Sequence, residues 1–332
     1  MMVFLWFAVC SIPIGIFMGK IGRRNTVLLS MVMTTVSMLL PILYYNFSCI
    51  LIAFTILGIS NTVLQVSLNP MVTLVVNKDK IASVLTLGQF IKAMSAFLGP
   101  IIISLAVTNA GSWKLIFPIY AIISILAAIW LLFSVKADCL NLKESTTFKS
   151  TLVLFSDRRI VVMFIGILAI VGVDVGLNTS IPKLLMEQTG LNLSKAGLGT
   201  SLYFVSRTIG TFIGAFLLTH FSGTRFMRFC MIVSIISFVI IPFVHQLYLL
   251  LILIIVIGLL CSNIFSIIFS YALQYKPHQS NEISSLMIMG VSGGGLVMPF
   301  MGVLSDSLGQ VMGIFPLLVC IIYLLWASNK LT

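Results

Sequence analysis

Three charged side chains lie deep inside long apolar runs of this sequence: Lys92, Asp174 and Arg207. They lie eleven, fourteen and eleven residues inside their runs. If those runs are helices that cross a bilayer, each charge is about 16–21 Å deep and reaches the middle of the hydrocarbon core. Charges at that depth cost about 2.5–3.5 kcal/mol each on insertion scales and usually mark ion or substrate pathways. The sequence therefore predicts an ion-coupling set of Asp174, Arg207 and Lys92.

Asp174 is the acidic member of this set, and it suits the role of a proton carrier. A carboxylate beside a cation can gain and lose a proton when the cation moves, so movement of Arg207 or Lys92 would load and release it. The alternative is a structural ion pair between Asp174 and Arg207 on consecutive helices. In that case Lys92 would remain to face a wet cavity.

Amide side chains recur at helical spacing in several of the apolar runs. Asn61, Gln65 and Asn69 are four residues apart and so share one helix face. Amides both donate and accept hydrogen bonds, and rings such as that of Tyr203 offer apolar faces, which together suit a polyhydroxylated ligand. A single amide more simply joins packed helices. Because four runs carry such stripes, we predict a cavity. The predicted substrate-binding residues are Asn61, Gln65, Asn69, Gln89, Asn178 and Asn263.

Other residues with catalytic or metal-binding potential do not form a pattern. His220, His245 and His278 are far apart and lack an H-E-x-x-H arrangement. The glycine run 293–295 has no following Lys-Ser/Thr, so it indicates close helix packing and not a phosphate loop. We therefore expect no catalytic residue, no metal and no cofactor.

Composition sets the elements that must position these residues. Of 332 residues, 60% are hydrophobic and 8% are charged, whereas a soluble domain carries about 25% charged residues. The sequence predicts an all-α polytopic membrane protein. Its eleven apolar runs, lettered A to K, are 1–19, 26–45, 48–76, 81–107, 113–135, 160–186, 196–220, 229–244, 247–275, 283–304 and 311–327.

The basic residues set the predicted orientation. Fourteen of the 19 lysines and arginines lie on alternate connections or after the last run. Loops that stay in the cytoplasm are enriched in Lys and Arg, so the pattern indicates a cytoplasmic C-terminus. It also explains the net charge of +11 without a nucleic-acid partner.

The only long connection divides the runs into five and six. The turn after "GIFMGKIGRR" matches the turn after "GTFIGAFLLTHFSGTR", which follows the second helix of the second half. Run A is therefore predicted to be a second helix, and the first of twelve is expected to be missing from this chain. The predicted domains are an N-terminal bundle at 1–135 (helices 2–6), a cytoplasmic central loop at 136–159 and a C-terminal bundle at 160–332 (helices 7–12).

Three segments resemble the major facilitator superfamily, and within it the fucose, glucose and galactose permease-like sugar:proton symporters. "NTVLQVSLNPMVTLV" is similar to that family's fourth helix, "LTLGQFIKAMSAFLGP" to its fifth and "SSLMIMGVSGGGLVMPFMGVLSDSLG" to its eleventh. Gly15, Gly22, Arg23 and Arg24 match the superfamily's turn motif. The resemblance implies a gating turn that involves Arg23, Arg24 and Asp306.

The chain departs from the family at positions that bear on coupling. The acidic residue of the first helix has no counterpart, and Gln65 stands at a fourth-helix position that is usually acidic. Lys92 replaces an Asn-like residue of the fifth helix, and Gly19 stands where the turn motif has Asp.

The resemblance implies a secondary active transporter that takes up a hexose or deoxyhexose with a proton by alternating access. It further implies a monomer in the bacterial inner membrane, whose partners are the sugar, H⁺ and the lipid bilayer. A drug or metabolite exporter of the same fold and a truncated, inactive permease remain alternatives. A membrane enzyme would need clustered catalytic groups at one membrane face, which the sequence lacks.

Overall fold

The computed structural model describes residues 2–110, 112–135 and 147–331. Within these ranges the regular structure is helical, as predicted. The α-helices are α1 Met2–Ile21, α2 Arg23–Leu43, α3 Phe47–Val75, α4 Ile81–Ala110, α5 Ile116–Ser134, α6 Phe148–Val153, α7 Arg158–Thr189, α8 Leu193–His220, α9 Gly223–Ile240, α10 Leu247–Cys261, α11 Ile264–Tyr275, α12 Ser280–Met289, α13 Gly293–Leu308, α14 Gln310–Gly313 and α15 Phe315–Ser328.

The predicted membrane helices coincide with these elements. In the part of the chain that the structure describes, ten helical segments are long and apolar enough to cross a membrane. They correspond to ten of the eleven predicted runs, and run D corresponds to α4, a continuous helix of 30 residues. The fold class is therefore confirmed.

Runs I and J are interrupted near their middle, and run K divides near its start, at Ile314. Run I is divided into α10 and α11 at Ser262 and Asn263, and run J into α12 and α13 by a 3₁₀ turn at Gly290–Ser292. Asn263 at the first break is 1% exposed. Irregular backbone at membrane depth is tolerated where protein covers it; the break in run I is buried, and in run J Gly290 and Val291 are buried and Ser292 is half-buried.

The described end of the predicted central loop is partly helical. Residues 136–146 lie outside the described ranges, so the division into two bundles at 136–159 stays a prediction. Thr147 and Ser150 form a reciprocal capping box at the start of α6. Asp157 then caps α7 by accepting a hydrogen bond from the Arg159 amide at 3.0 Å. Two capped helices thus begin within the described part of the predicted central loop, and the assignment of 136–159 as a cytoplasmic loop stays a prediction.

The chain divides into two compact units. The first comprises Met1–Val75, Met94–Leu154 and Lys276–Met289, and the second comprises Val76–Ala93, Phe155–Tyr275 and Gly290–Thr332. In the first unit, α1 packs against α3 and α12, and α2 packs against α3 and α5. In the second, α7 packs against α8, α13 and α15, and α10 packs against α8 and α9.

Close backbone approach requires glycine at several helix contacts. In the first unit a Cβ at Gly15 would lie 2.7 Å from the Cβ of Ser285 on α12. In the second unit a Cβ at Gly293 would collide with the backbone of Leu168 on α7. The packing role predicted for the glycine run is thereby confirmed at Gly293. Small residues at such contacts let van der Waals packing join helices where lipid offers no hydrophobic driving force.

We predict that Gly15→Ala destabilises the protein, whereas the same change at Gly88 on α4 does not. A methyl group added at Gly88 would have no atom within 4 Å, while one added at Gly15 overpacks the contact with α12 at a cost of about 1–3 kcal/mol. Thermal unfolding in detergent, followed by size-exclusion chromatography, measures the difference. Equal melting temperatures for the two variants would contradict the assigned contact.

Candidate functional site

The second unit contains an ionic network between α7 and α8. Arg207 Nη1 lies 2.8 Å from Asp174 Oδ2, and the hydroxyl of Tyr203 donates to Asp174 Oδ1 at 2.9 Å. Tyr203 and Arg207 are four residues apart on α8, so both face the same carboxylate. The pairing expected for Asp174 and Arg207 is present, with each carboxylate oxygen engaged by a different partner.

This network is only partly covered by protein. The side chains of Arg207 and Asp174 are 31% and 25% exposed, whereas Tyr203 is 1% exposed. The buried phenol fixes the carboxylate on one side, while the other side of the ion pair remains open. A carboxylate held in this way can contact a ligand or exchange a proton while it keeps its contacts with Arg207 and Tyr203.

Tyr203 is a partner of Asp174, a role that the sequence analysis missed when it considered this ring as an apolar face for a sugar. The signal that could have identified the role is its position one helical turn before Arg207. Its place depends on the close contact of α8 with α10, where a Cβ at Gly258 would lie 3.2 Å from Tyr203 Cδ2. A Cβ at Gly210 would lie 2.5 Å from the carbonyl oxygen of Leu259.

Lys92 completes the predicted ion-coupling set at longer range. Its charge interacts with those of Arg207 and Asp174, but in the described part of the chain it forms no ion pair within 4.0 Å. Lys92 as a whole residue is exposed. The first half of α4 is held against α8 by a hydrogen bond from Ser83 Oγ to the Ala215 carbonyl at 2.6 Å. The network therefore combines one carboxylate with two cations.

The predicted amide stripe of α3 is half-buried in the first unit. Gln65 Nε2 donates to Asn61 Oδ1 at 3.2 Å, one turn away on the same face, and Asn69 is also half-buried. The amides are thus aligned as predicted. Their contact with a sugar stays a prediction.

The three remaining amides belong to the second unit and differ in accessibility. Gln89 and Asn178 are half-buried. Asn263 is buried, and its Nδ2 donates to the Gly210 carbonyl at 3.0 Å and to Ser262 Oγ at 2.9 Å. This geometry favours helix packing for Asn263, which is the alternative role of any single amide.

The predicted gating turn joins three helices of the first unit through Arg23. Its guanidinium donates to Asn281 Oδ1 at 2.8 Å, to the Pro70 carbonyl at 2.9 Å and to Ser280 Oγ at 2.6 Å. Gly22, which begins the turn, has a φ of 86°, a conformation that residues with a Cβ rarely adopt. The motif glycine and Arg23 are therefore both explained by local geometry.

The other two predicted gating residues have different surroundings. Arg24 Nη2 donates to the Leu132 carbonyl of α5 at 2.7 Å. Asp306 is exposed near the end of α13, at the opposite end of predicted helix J from Ser280 and Asn281. A joint role of Asp306 with the two arginines stays a prediction. Within the described ranges, no group of three His, Cys, Asp or Glu side chains is placed to hold a metal ion.

Comparison with known proteins agrees with this architecture. A family model described as Major Facilitator Superfamily matches residues 1–193 and 162–331. A glucose/galactose transporter of Brucella abortus (strain 2308) is 23% identical over 332 residues, covering 95% of this chain and 80% of the relative. A putative glucose/galactose transporter of Helicobacter pylori (strain J99) is 26% identical over 328 residues, covering 92% and 79%.

A solved structure shows the same fold. The crystal structure of the transporter FucP in the outward conformation superposes with a TM-score of 0.89 at 18% identity, covering 100% of this chain and 89% of FucP. The family match extends over nearly the whole chain, and the family consists of membrane transporters and not of enzymes. The chain therefore belongs to the major facilitator superfamily.

Proposed function

We propose that this protein is a secondary active transporter that takes up a monosaccharide of the hexose or deoxyhexose type together with a proton. The glucose/galactose transporters among its relatives support the sugar class. The observation that carries the coupling is the bonding of Asp174, whose two oxygens are engaged by Arg207 and Tyr203 in the middle of the second unit. The protein works as a monomer in the bacterial inner membrane with its C-terminus in the cytoplasm.

Asp174 is the acidic residue available for proton binding at this depth. Protonation would weaken its ion pair with Arg207, while Tyr203 could still hold the second oxygen. The guanidinium would then be free to reorient toward a ligand or solvent. Proton binding at one atom is thereby linked to the position of a charged group on a neighbouring helix, as coupled transport requires.

The energy source is adequate in magnitude. One elementary charge that crosses a potential of 100 mV releases about 2.3 kcal/mol. Alternating access would rock the helices around a site near the bilayer midplane. Arg23 holds the start of α12 against α3, so breaking and remaking its contacts would accompany each cycle. An exporter of the same fold and an inactive permease remain the competing functions, and vesicle uptake separates them.

Asp174→Asn is predicted to keep sugar exchange but lose accumulation driven by a pH gradient. The amide preserves size and hydrogen bonding and removes titration. Uptake and exchange of radiolabelled sugar in proteoliposomes measure the two activities, with Asp79→Asn at an exposed carboxylate as the matched control. Gradient-driven accumulation by a well-expressed Asp174→Asn protein would refute the proton-carrier role.

If the ion pair between Asp174 and Arg207 is only structural, variants of these two residues should show a different pattern of folding. Removing one partner of a buried pair strands a charge at a cost of about 3–5 kcal/mol. In that case Asp174→Asn and Arg207→Gln should each misfold, and the double variant should recover. If the pair couples transport, Arg207→Gln instead changes accumulation more than expression, which size-exclusion profiles of the two variants record.

Gln65→Leu is predicted to weaken sugar binding about ten-fold or more, because the lost amide leaves a sugar hydroxyl unpaired at about 1–3 kcal/mol. Equilibrium binding to purified protein measures the change. Gln246→Leu at an exposed position controls for the substitution itself. Unchanged affinity in the Gln65 variant would reassign the α3 stripe to helix packing.

Arg23→Gln is predicted to slow transport and lower stability more than Arg24→Gln does. Arg23 makes three hydrogen bonds to α3 and α12, whereas Arg24 makes one to α5; a hydrogen bond from a charged group contributes about 1.5–3 kcal/mol. Initial uptake rates and melting temperatures of the two variants test the difference. Equal effects would show that the three contacts of Arg23 do not control the cycle.

A further inference from the structure

The charges around Asp174 do not cancel. The groups that interact with it are Arg207 and Tyr203 from α8, Lys92 from α4 and Cys261 from α10. Arg207 and Tyr203 each engage one of its two oxygens, and its single negative charge cannot balance both Arg207 and Lys92. The cluster carries one negative and two positive charges.

No other acidic residue of the sequence lies as deep inside an apolar run as Asp174 does. The other acidic residues belong to connections or helix ends: Asp79, Asp138, Glu144, Asp157, Glu187, Glu282 and Asp306. Glu187, for example, accepts a hydrogen bond from the Gln310 amide at 2.9 Å beyond the end of α13. The excess positive charge is therefore available to an anionic ligand.

Proton binding makes this requirement stronger. When Asp174 is protonated, the carboxylate that pairs with Arg207 becomes neutral and the cluster holds two uncompensated cations. A neutral sugar adds no charge that would offset them. An anionic substrate supplies the missing negative charge at the moment when the proton is bound.

We propose that the transported monosaccharide carries a carboxylate, as a hexuronate or another six-carbon sugar acid does. This inference rests on the proposed function, in that it accepts proton-coupled sugar uptake and specifies the chemical class of the sugar. Lys92 pairs with the substrate carboxylate, and Arg207, released when Asp174 is protonated, adds its planar donor fork to the same group. The half-buried amides Gln89 and Asn178, in the same unit, are available for the hydroxyls.

Co-transport of a sugar acid with a proton has a defined charge balance. One sugar acid anion and one proton move together, and their charges sum to zero. Uptake should therefore follow the pH gradient and be insensitive to membrane potential. A neutral sugar that moves with one proton would instead carry one positive charge inward and respond to a negative interior potential.

The test uses the purified full chain in proteoliposomes, with a pH gradient and a valinomycin-set potassium potential applied separately. D-Glucuronate and D-galacturonate are compared with D-glucose, D-galactose and L-fucose as labelled substrates and as competitors. Lys92→Gln is compared with Lys195→Gln, the same change in the first turn of α8. Lys92→Arg tests whether another cation restores transport.

We expect uptake of a sugar acid to be potential-insensitive, to fall at least ten-fold in Lys92→Gln and to be unchanged in Lys195→Gln. Potential-driven uptake of neutral sugars without competition by the acids overturns this inference and leaves the proposed function standing. Failure of both sugar classes overturns both. If Lys92→Gln does not fold, competition between acids and neutral sugars in the unaltered protein decides the question alone.

Discussion

The ion pair between Asp174 and Arg207, 2.8 Å apart, is the interaction on which the second unit depends. An isolated charge at the middle of a membrane helix is expensive, so α7 and α8 must keep the register that joins these two side chains. Tyr203 reinforces that register because it bonds the same carboxylate one turn away on α8.

Glycines permit the register by letting backbones approach. Gly210 and Gly214 on α8 lie against Leu259 and Asn263, and Gly172 on α7 lies against Val297. A side chain at any of these positions would push α7 or α8 away from the neighbour that it contacts. Packing of small residues and pairing of charges therefore act together in this unit, because lipid supplies little force of its own between helices.

The breaks in the predicted helices I and J are likewise held by contacts with adjacent helices. At the first break, the side-chain amide of Asn263 donates a hydrogen bond to the backbone of α8. At the second break, a Cβ at Gly290 would lie 3.2 Å from the Phe164 carbonyl of α7. In each case the interrupted backbone is covered by an adjacent helix. Such interruptions give a transporter places where a helix can bend without exposing polar groups to lipid.

The sequence by itself determined the order and approximate ends of the membrane helices, because each is a run of apolar residues long enough for a bilayer. It also determined that Lys92, Asp174 and Arg207 lie deep in such runs, since depth follows from rise per residue. Only the tertiary structure decided that Tyr203 shares the carboxylate, that Asn263 faces α8 and that Arg23 reaches α3 and α12. These contacts depend on the rotation and spacing of helices distant in sequence, which hydrophobic run length does not specify.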